Sequence, residues 1–269
     1  MSLHRGKHGQ RGFTVTELMI TVGLSLSVIS SVLIGYLATY SSSLNTLAAS
    51  KLNQDMSALM NLMVSELRRA GYSGTVPATP TSNLFALADN TALEVFNDMS
   101  SNVQQAATGS GSCIVYTYDN DEDGVVDAAE LAGFRLTTAG VVQVRTSGNT
   151  ADPDTCASTV SPAPATPITW EALTDPAFIT VSELDFDLAN STCLNTREPN
   201  AVDDDADGTT DESDEADCYA NAPVAGSGNI TVETREIIIT LTANLTNDTF
   251  VRLTQSQSVR VRNDFVRVY

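Results

Sequence analysis

The chain has 269 residues, and its 33 Asp and Glu residues against 14 Lys and Arg give a formal net charge of −19. This length allows one or two domains with a sizeable core, and the negative charge argues against nucleic-acid binding, which needs basic patches. Both histidines, His4 and His8, lie close to the N-terminus, so a processed chain would have none. Ser-His-Asp and Cys-His catalysis and the usual zinc sites are thereby excluded, and we expect no enzyme.

The N-terminus has the features of a membrane-targeting segment. Residues 1–12 are basic and contain no acid, and 22 uncharged residues follow from Leu18 to Thr39. A helix of that length spans a bilayer core of about 30 Å. A secretory signal has a shorter apolar core followed by a cleavage site. Here we predict a cut before the apolar core, between Gly12 and Phe13, with the basic leader held in the cytoplasm.

Glu17 is unusual, because a carboxylate at the edge of a membrane helix is costly without a partner. In one interpretation its side chain reaches the lipid headgroups. The predicted cut favours another, because it gives Phe13 a free amine four residues before Glu17. In an assembly, Glu17 of one subunit would then pair with the amine of a neighbouring subunit.

The helix is predicted to continue beyond the membrane, so that one helix covers residues 13–71. Gly71 is a natural stop, and no Pro precedes Pro77. Apolar residues recur at mostly three- and four-residue spacing, which indicates an amphipathic face. These residues are Leu44, Leu47, Leu52, Met56, Leu59, Met63 and Leu67.

Residues 72–269 are predicted to form a β-rich domain, so the fold class is α+β, with a long N-terminal helix packed on an antiparallel β domain. Residues 72–112 and 158–167 read as loops with at most short elements. The strand predictions are 113–118, 134–136, 141–145, 179–188, 230–245 and 256–268. The last two are expected to form a hairpin around the turn at residues 246–248.

Four cysteines, Cys113, Cys156, Cys193 and Cys218, favour two disulfides in an exported chain. Three pairings are possible, and we favour Cys113–Cys156 with Cys193–Cys218. The second bond would close a loop around an acidic stretch and limit its entropy in the unfolded chain.

The acidic residues concentrate in two places, 119–130 and 203–217, which together hold 15 of the 33. The first acidic loop, residues 119–130, reads DNDEDGVVDAAE and fits a twelve-residue calcium loop. Ca²⁺ takes six to eight oxygen ligands. The predicted ligands are Asp119, Asp121, Asp123, the Val125 carbonyl, Asp127 and Glu130. The alternative is a solvated acidic turn.

The second acidic loop, residues 203–217, begins DDDADGTTDESD. Its predicted ligands are Asp203, Asp205, Asp207, the Thr209 carbonyl, Asp211 and Asp214. Because Asp214 stands where the pattern has Glu and reaches less far, Glu215 is an alternative closing ligand. The sequence thus predicts one or two Ca²⁺ ions that stabilise the fold.

The segment GFTVTELMITVGLSLSVISSVLIGYL, with its basic leader, resembles the prepilin signature of type IV pilins and type II secretion pseudopilins. The matching features are Gly12, Phe13, Glu17 and the apolar run. The resemblance implies cleavage after Gly12 by a prepilin peptidase, N-methylation of Phe13 and a structural role for Glu17 in assembly.

Further segments are similar to PilW-type minor pilins, namely LRRAGYSG, CIVYTYD, GFRL and WEALTDP. This resemblance implies a subunit that joins other minor pilins and the major pilin at the inner-membrane assembly platform to prime pilus assembly, near the tip. The globular domain would be periplasmic before it reaches the pilus or cell surface. The alternatives are a J-type pseudopilin of type II secretion and a calcium-dependent adhesin or tip-binding module.

Overall fold

The computed structural model describes residues 12–75, 83–87, 90–157, 167–203 and 207–269. The leader residues 1–11, the predicted loop at 158–166 and Asp205 lie outside them. The elements are α1 (Val15–Leu67), β1 (Glu94–Phe96), β2 (Ser110–Gly111), β3 (Cys113–Thr117), a 3₁₀ turn (Ala128–Glu130), β4 (Leu131–Leu136), β5 (Val142–Ser147), β6 (Thr169–Ala172), β7 (Ile179–Asp187), β8 (Thr192–Asn195), β9 (Ile230–Thr234), β10 (Glu236–Leu245), β11 (Asp248–Arg260) and β12 (Phe265–Val268).

The long helix and the antiparallel β domain confirm the predicted α+β class. Helix α1 has 53 residues and begins at Val15, two residues later than predicted. It ends at Leu67, and Gly71 follows after a turn with a φ of 73°. That value lies in the left-handed region that favours glycine.

Burial along α1 starts later than the apolar pattern predicts. Leu44 and Leu47 are exposed, and no residue of α1 before Leu52 is buried. The buried residues are Leu52, Met56, Leu59, Met60, Met63, Val64 and Leu67. The apolar spacing therefore identifies the helix but not the point at which packing on the β domain begins.

From Lys51 onward, α1 packs on the sheet that contains β7 and β10. Met56 and Leu59 line one cavity together with Leu241 and Ala243 of β10. At the edge of this contact, Gln255 donates to the Ser57 hydroxyl at 3.0 Å. Alternate residues of β10 are buried, as expected for a strand with one face toward a helix.

Three antiparallel sheets make up the described β domain. Their strand orders are β1-β3-β4-β5-β6, β11-β10-β7-β2 and β12-β9-β8. The hairpin of β10 and β11 confirms the predicted C-terminal hairpin, with its turn at residues 246–247. The predicted strand 256–268 is wrong as a single element, because β11 already begins at Asp248 and Phe265–Val268 forms β12, which pairs with β9. Strands β6 and β8 were not predicted, because each has only four residues.

The predicted strand 230–245 is wrong as a single element, because it divides at Arg235. Strand β9 pairs with β8 and β12, whereas β10 pairs with β7 and β11. Arg235 is 5% exposed, and its guanidinium binds Glu233 at 2.7 Å and the Ala107 carbonyl at 2.9 Å. The alternation of buried residues continues through this corner, so the pattern gives no sign of it.

Both predicted disulfide pairings are confirmed: Cys113–Cys156 and Cys193–Cys218. The first is buried, and Trp170 packs against it. Arg135 stacks over the Trp170 ring at 4.1 Å and donates to the Cys156 carbonyl at 2.6 Å. Burial lowers the pKa of Arg135 to about 10, which leaves it charged at neutral pH.

Candidate functional site

The predicted processing site lies directly before α1. Gly12 and Phe13 are exposed and outside the helix, with Phe13 83% accessible. Thr14 caps the helix, and Glu17 lies in its first turn. Glu17 Oε2 accepts from the Thr14 N–H and hydroxyl, both at 3.0 Å, and the Glu17 N–H donates to Thr14 Oγ1 at 3.3 Å.

This arrangement is a capping box, which the T-x-x-E spacing of residues 14–17 signals in the sequence. No role was predicted for Thr14, and Glu17 was expected either to reach the lipid headgroups or to pair in an assembly. The cap explains why the helix begins at Val15. It also places the carboxylate at the positive end of the helix dipole.

The first acidic loop is organised by hydrogen bonds from its own backbone to its carboxylates. Asp119 Oδ2 accepts from the Gly124 N–H at 3.1 Å, and Asp123 Oδ1 accepts from the Val125 N–H at 2.7 Å. Gly124 has a φ of 74°, which permits the sharp turn. The 3₁₀ turn closes the loop through the capping box of Asp127 and Glu130.

Three of the predicted ligands meet in this loop. Asp119, Asp121 and Glu130 each offer a carboxylate oxygen within 4.8 Å of the other two. Asp119 and Glu130 are each 2% exposed. Asp123, Val125 and Asp127 lie in the same loop but outside this group of three.

Asp119 carries a feature that points to a cation. Its Oδ1 is buried, and no group in the described residues donates a hydrogen bond to it. Burial also raises the pKa of Glu130; hydrogen bonds from the Asn120 and Asp127 N–H groups act in the opposite direction, and the carboxylates of Asp127 and Asp119 raise it further. Buried oxygen ligands with unsatisfied negative charge are the chemistry that binds a hard cation.

The second acidic loop repeats the first part of this scaffold. Asp203 Oδ2 accepts from the Gly208 N–H at 2.9 Å, and Asp207 Oδ1 accepts from the Thr209 N–H at 2.9 Å. Asp203 and Asp119 thus hold equivalent places, five residues before the glycine. The base of the loop is fixed by the bond Cys193–Cys218 and by the Asn195 N–H, which donates to the Ala216 carbonyl.

The closing end of the second acidic loop differs from the prediction. Its carboxylate group consists of Glu198, Asp211 and Glu215, and Asp214 is exposed and outside it. Glu215 Oε2 accepts from the Glu212 N–H three residues earlier, as Glu130 Oε2 accepts from the Asp127 N–H. Glu215 therefore corresponds to Glu130, with one extra residue in the loop.

The carboxylate group of Glu198, Asp211 and Glu215 differs from the predicted set of ligands in two ways. Glu198 precedes the acidic loop and no sequence signal identifies it, because the calcium pattern does not extend that far. The described members Asp203, Asp207 and Thr209 lie outside the group of three.

Comparison with known protein families identifies the class of the chain. Residues 45–261 match the family model described as PpdB, prepilin peptidase-dependent protein B, which covers well over half of the 269 residues. The chain belongs to the prepilin peptidase-dependent protein B family. No curated protein and no solved structure matches it at a significant level.

Membership in the prepilin peptidase-dependent protein B family connects the chain to prepilin and type IV pilus proteins. The match begins at residue 45, beyond the segment 12–37 that carries the prepilin-like signature. The two indications thus come from different parts of the chain. Helix α1 is long and apolar enough to cross a membrane, so fold and family together indicate a membrane-anchored, pilin-like structural protein.

Proposed function

We propose that this protein is a minor pilin of the PilW type that primes type IV pilus assembly near the pilus tip. The observation that supports the proposal best is the order of two independent features. A prepilin-like segment at residues 12–37 stands directly before a region that matches a prepilin peptidase-dependent family.

In this proposal the prepilin peptidase cleaves after Gly12, and the amine of Phe13 becomes methylated. Glu17 then pairs with the methylated amine of a neighbouring pilin, and α1 passes from the inner membrane into the filament. The partners are other minor pilins, the major pilin and the inner-membrane assembly platform. The β domain would face the periplasm before it is displayed on the pilus.

The proposal includes a Ca²⁺ ion in the first acidic loop. Its support is the buried, unpartnered Asp119 Oδ1 beside Asp121 and Glu130, and the spacing of Asp123, Val125 and Asp127 as further oxygen ligands. A cation would neutralise carboxylates that otherwise repel one another. It would supply the missing partner of Asp119, so the ion would stabilise the β domain.

A second Ca²⁺ ion is proposed for the second acidic loop, with Asp211 and Glu215 as central ligands. Glu215 is 2% exposed and lies within 4.8 Å of the other members of its group. The disulfide Cys193–Cys218 encloses this loop and reduces the entropy that is lost when it becomes ordered.

The proposed processing is tested by expressing the full-length chain with and without a prepilin peptidase. We expect a product that begins at methylated Phe13, identified by intact-mass and N-terminal analysis. Gly12→Val should block cleavage. Gly23→Ala is the matched control, because a Cβ at either glycine meets no neighbouring atom. Cleavage at another position, or of the Gly12→Val variant, would contradict the proposal.

The place of the protein among filament systems is tested by deleting its gene. Loss of pili that the wild-type chain restores is the expected result. Loss of protein secretion with normal pili would identify a J-type pseudopilin instead. Normal piliation with lost attachment in an Asp211→Asn variant would identify an adhesive tip module.

A further inference from the structure

The segment that follows α1 lies directly against the first acidic loop. We call residues 71–75 the exit segment. The Asp119 N–H donates to the Tyr72 carbonyl at 2.9 Å, and the Tyr72 hydroxyl donates to Glu122 Oε1 at 3.2 Å. A Cβ at Gly74 would lie 2.5 Å from the Glu122 Cβ. The two segments therefore pack without space between them.

The Asp119 carboxylate joins the exit segment to the loop. Its Oδ2 accepts from the Gly74 N–H at 2.9 Å and from the Gly124 N–H at 3.1 Å. Its Oδ1 is the buried oxygen without a hydrogen-bond partner in the described residues. The same side chain is thus both a member of the carboxylate group and one of the links to the end of α1.

These two roles couple the cation to the exit segment. Without a cation, the Asp119 carboxylate is buried near Asp121 and Glu130, and the cost of an unsatisfied buried charge favours its movement toward water. Such a movement breaks the bond from the Gly74 N–H. With a cation bound, the observed position of Asp119 is the one that satisfies both oxygens.

We propose that a divalent cation in the first acidic loop acts as a clasp, which fastens the exit segment and hence the end of α1 to the β domain. This inference rests on the calcium loop proposed above and adds a regulatory role to it. Cation occupancy would set how firmly the end of α1 is attached.

The second acidic loop provides an internal control. Asp203 accepts from the Asp207 and Gly208 N–H groups, both within its own loop. Among the described residues, Asp203 makes no hydrogen bond to the exit segment. A cation in that loop should therefore leave the exit segment unchanged.

The test is hydrogen–deuterium exchange of the full-length chain in detergent micelles, with Ca²⁺ and with EGTA, beside a calorimetric titration of Ca²⁺. If the ion binds only to the closed clasp, free Ca²⁺ at 100 times its Kd slows exchange of the exit segment about 100-fold. Asp121→Asn should abolish this effect, because Asp121 belongs to the carboxylate group but, among the described residues, accepts from the Asp123 N–H and not from the exit segment. Asp203→Asn should preserve it.

The outcomes separate the clasp from the calcium site itself. A binding event that Asp121→Asn removes, without any change in exchange at the exit segment, overturns the clasp and leaves the calcium loop standing. Absence of any such binding event overturns both. Slower exchange with Ca²⁺ in the Asp121→Asn variant would also overturn the clasp, because the effect would then arise elsewhere.

Discussion

The Thr14 N–H donates to the Glu17 carboxylate, and the Glu17 N–H donates back to the Thr14 hydroxyl. The pair closes the first turn of α1, where a negative charge is also favoured by the helix dipole. Glu17 thus has a structural role within its own chain, beside the role in assembly that we propose. Substitutions at these two positions separate the roles.

Glu17→Gln should leave the subunit in the membrane but block its incorporation into filaments. Gln can still accept from the Thr14 N–H in a capping box, whereas the charge that would pair with a neighbour's amine is lost. The measurement is the amount of subunit in sheared filaments relative to the amount in membranes.

Thr14→Ala is the matched control for this experiment. It removes the cap at a cost of about 1 kcal/mol and keeps the carboxylate. We expect incorporation close to wild type. Normal incorporation of Glu17→Gln together with a loss in Thr14→Ala would show that the cap, not the charge, matters for assembly.

Calcium should raise the melting temperature of the β domain. At free Ca²⁺ 100 times its Kd, one occupied site raises the free energy of unfolding by about 2.7 kcal/mol. For a domain of this size, that raises the melting temperature by about 5–10 °C. Asp123→Ala should remove most of the shift from the first acidic loop. The measurement is thermal unfolding followed by circular dichroism with Ca²⁺ and with EGTA.

Asp98→Ala is the control for the Asp123 variant. Asp98 accepts from the Ser100 and Ser101 N–H groups outside both acidic loops, so its loss should lower stability equally with and without Ca²⁺. A wild-type melting temperature that does not respond to Ca²⁺ would contradict the proposed sites.

Glu215→Gln should reduce the number of bound Ca²⁺ ions from two to one, while Asp214→Asn should leave two. The reason is that Glu215 is buried in the carboxylate group and Asp214 is exposed. Native mass spectrometry in calcium-buffered solution counts the ions. Loss of an ion only in Asp214→Asn would restore the sequence-based choice of closing ligand.

Asp185→Asn should stabilise the protein at pH 7 but not near pH 3. Burial raises the pKa of Asp185, and the neighbouring carboxylates of Asp187 and Glu183 add to this, against a hydrogen bond from Ser110. A raised folded-state pKa means that the ionised form costs stability above that pKa. The cost disappears as pH falls below the unfolded-state value.

Asp185→Asn is expected to raise the free energy of unfolding at pH 7 by about 0.5 kcal/mol. The effect is small because Asp185 is only partly buried and solvent screens the neighbouring carboxylates. Chemical denaturation at the two pH values measures it. Glu171→Gln, on an exposed position of β6, should change stability at neither pH. An equal gain from Asp185→Asn at both values would refute the electrostatic explanation.

Local patterns in the sequence predict much of the fold. The apolar run and the three- and four-residue spacing predict α1, and alternation predicts β7, β10 and the last residues of β11, because these signals depend on one buried face per element. The even number of cysteines in an exported chain predicts two disulfides, and the favoured one of the three possible pairings is the one that the structure has. The corner at Arg235 escaped prediction, because a strand can change sheets without changing its two-residue period.

In the acidic loops, too, local spacing predicted some of the residues, whereas others depend on tertiary contacts. Spacing alone placed Asp119, Asp121 and Glu130 in one loop, since a twelve-residue turn with a central glycine brings its ends together. Glu198 was missed, because it reaches its group through tertiary contacts and not through the loop pattern. The choice between Asp214 and Glu215 also depended on burial.

Periodicity and short-range spacing predict the helix, the strand-rich domain and the two acidic loops, and an even number of cysteines in an exported chain predicts two disulfides. The folded chain was needed to show which cysteines pair, which carboxylates meet, and that Asp119 accepts a hydrogen bond from Gly74 of the exit segment. Those relationships depend on burial and on the approach of separate segments. Both the burial of these residues and the approach of the separate segments are determined by how the whole chain packs.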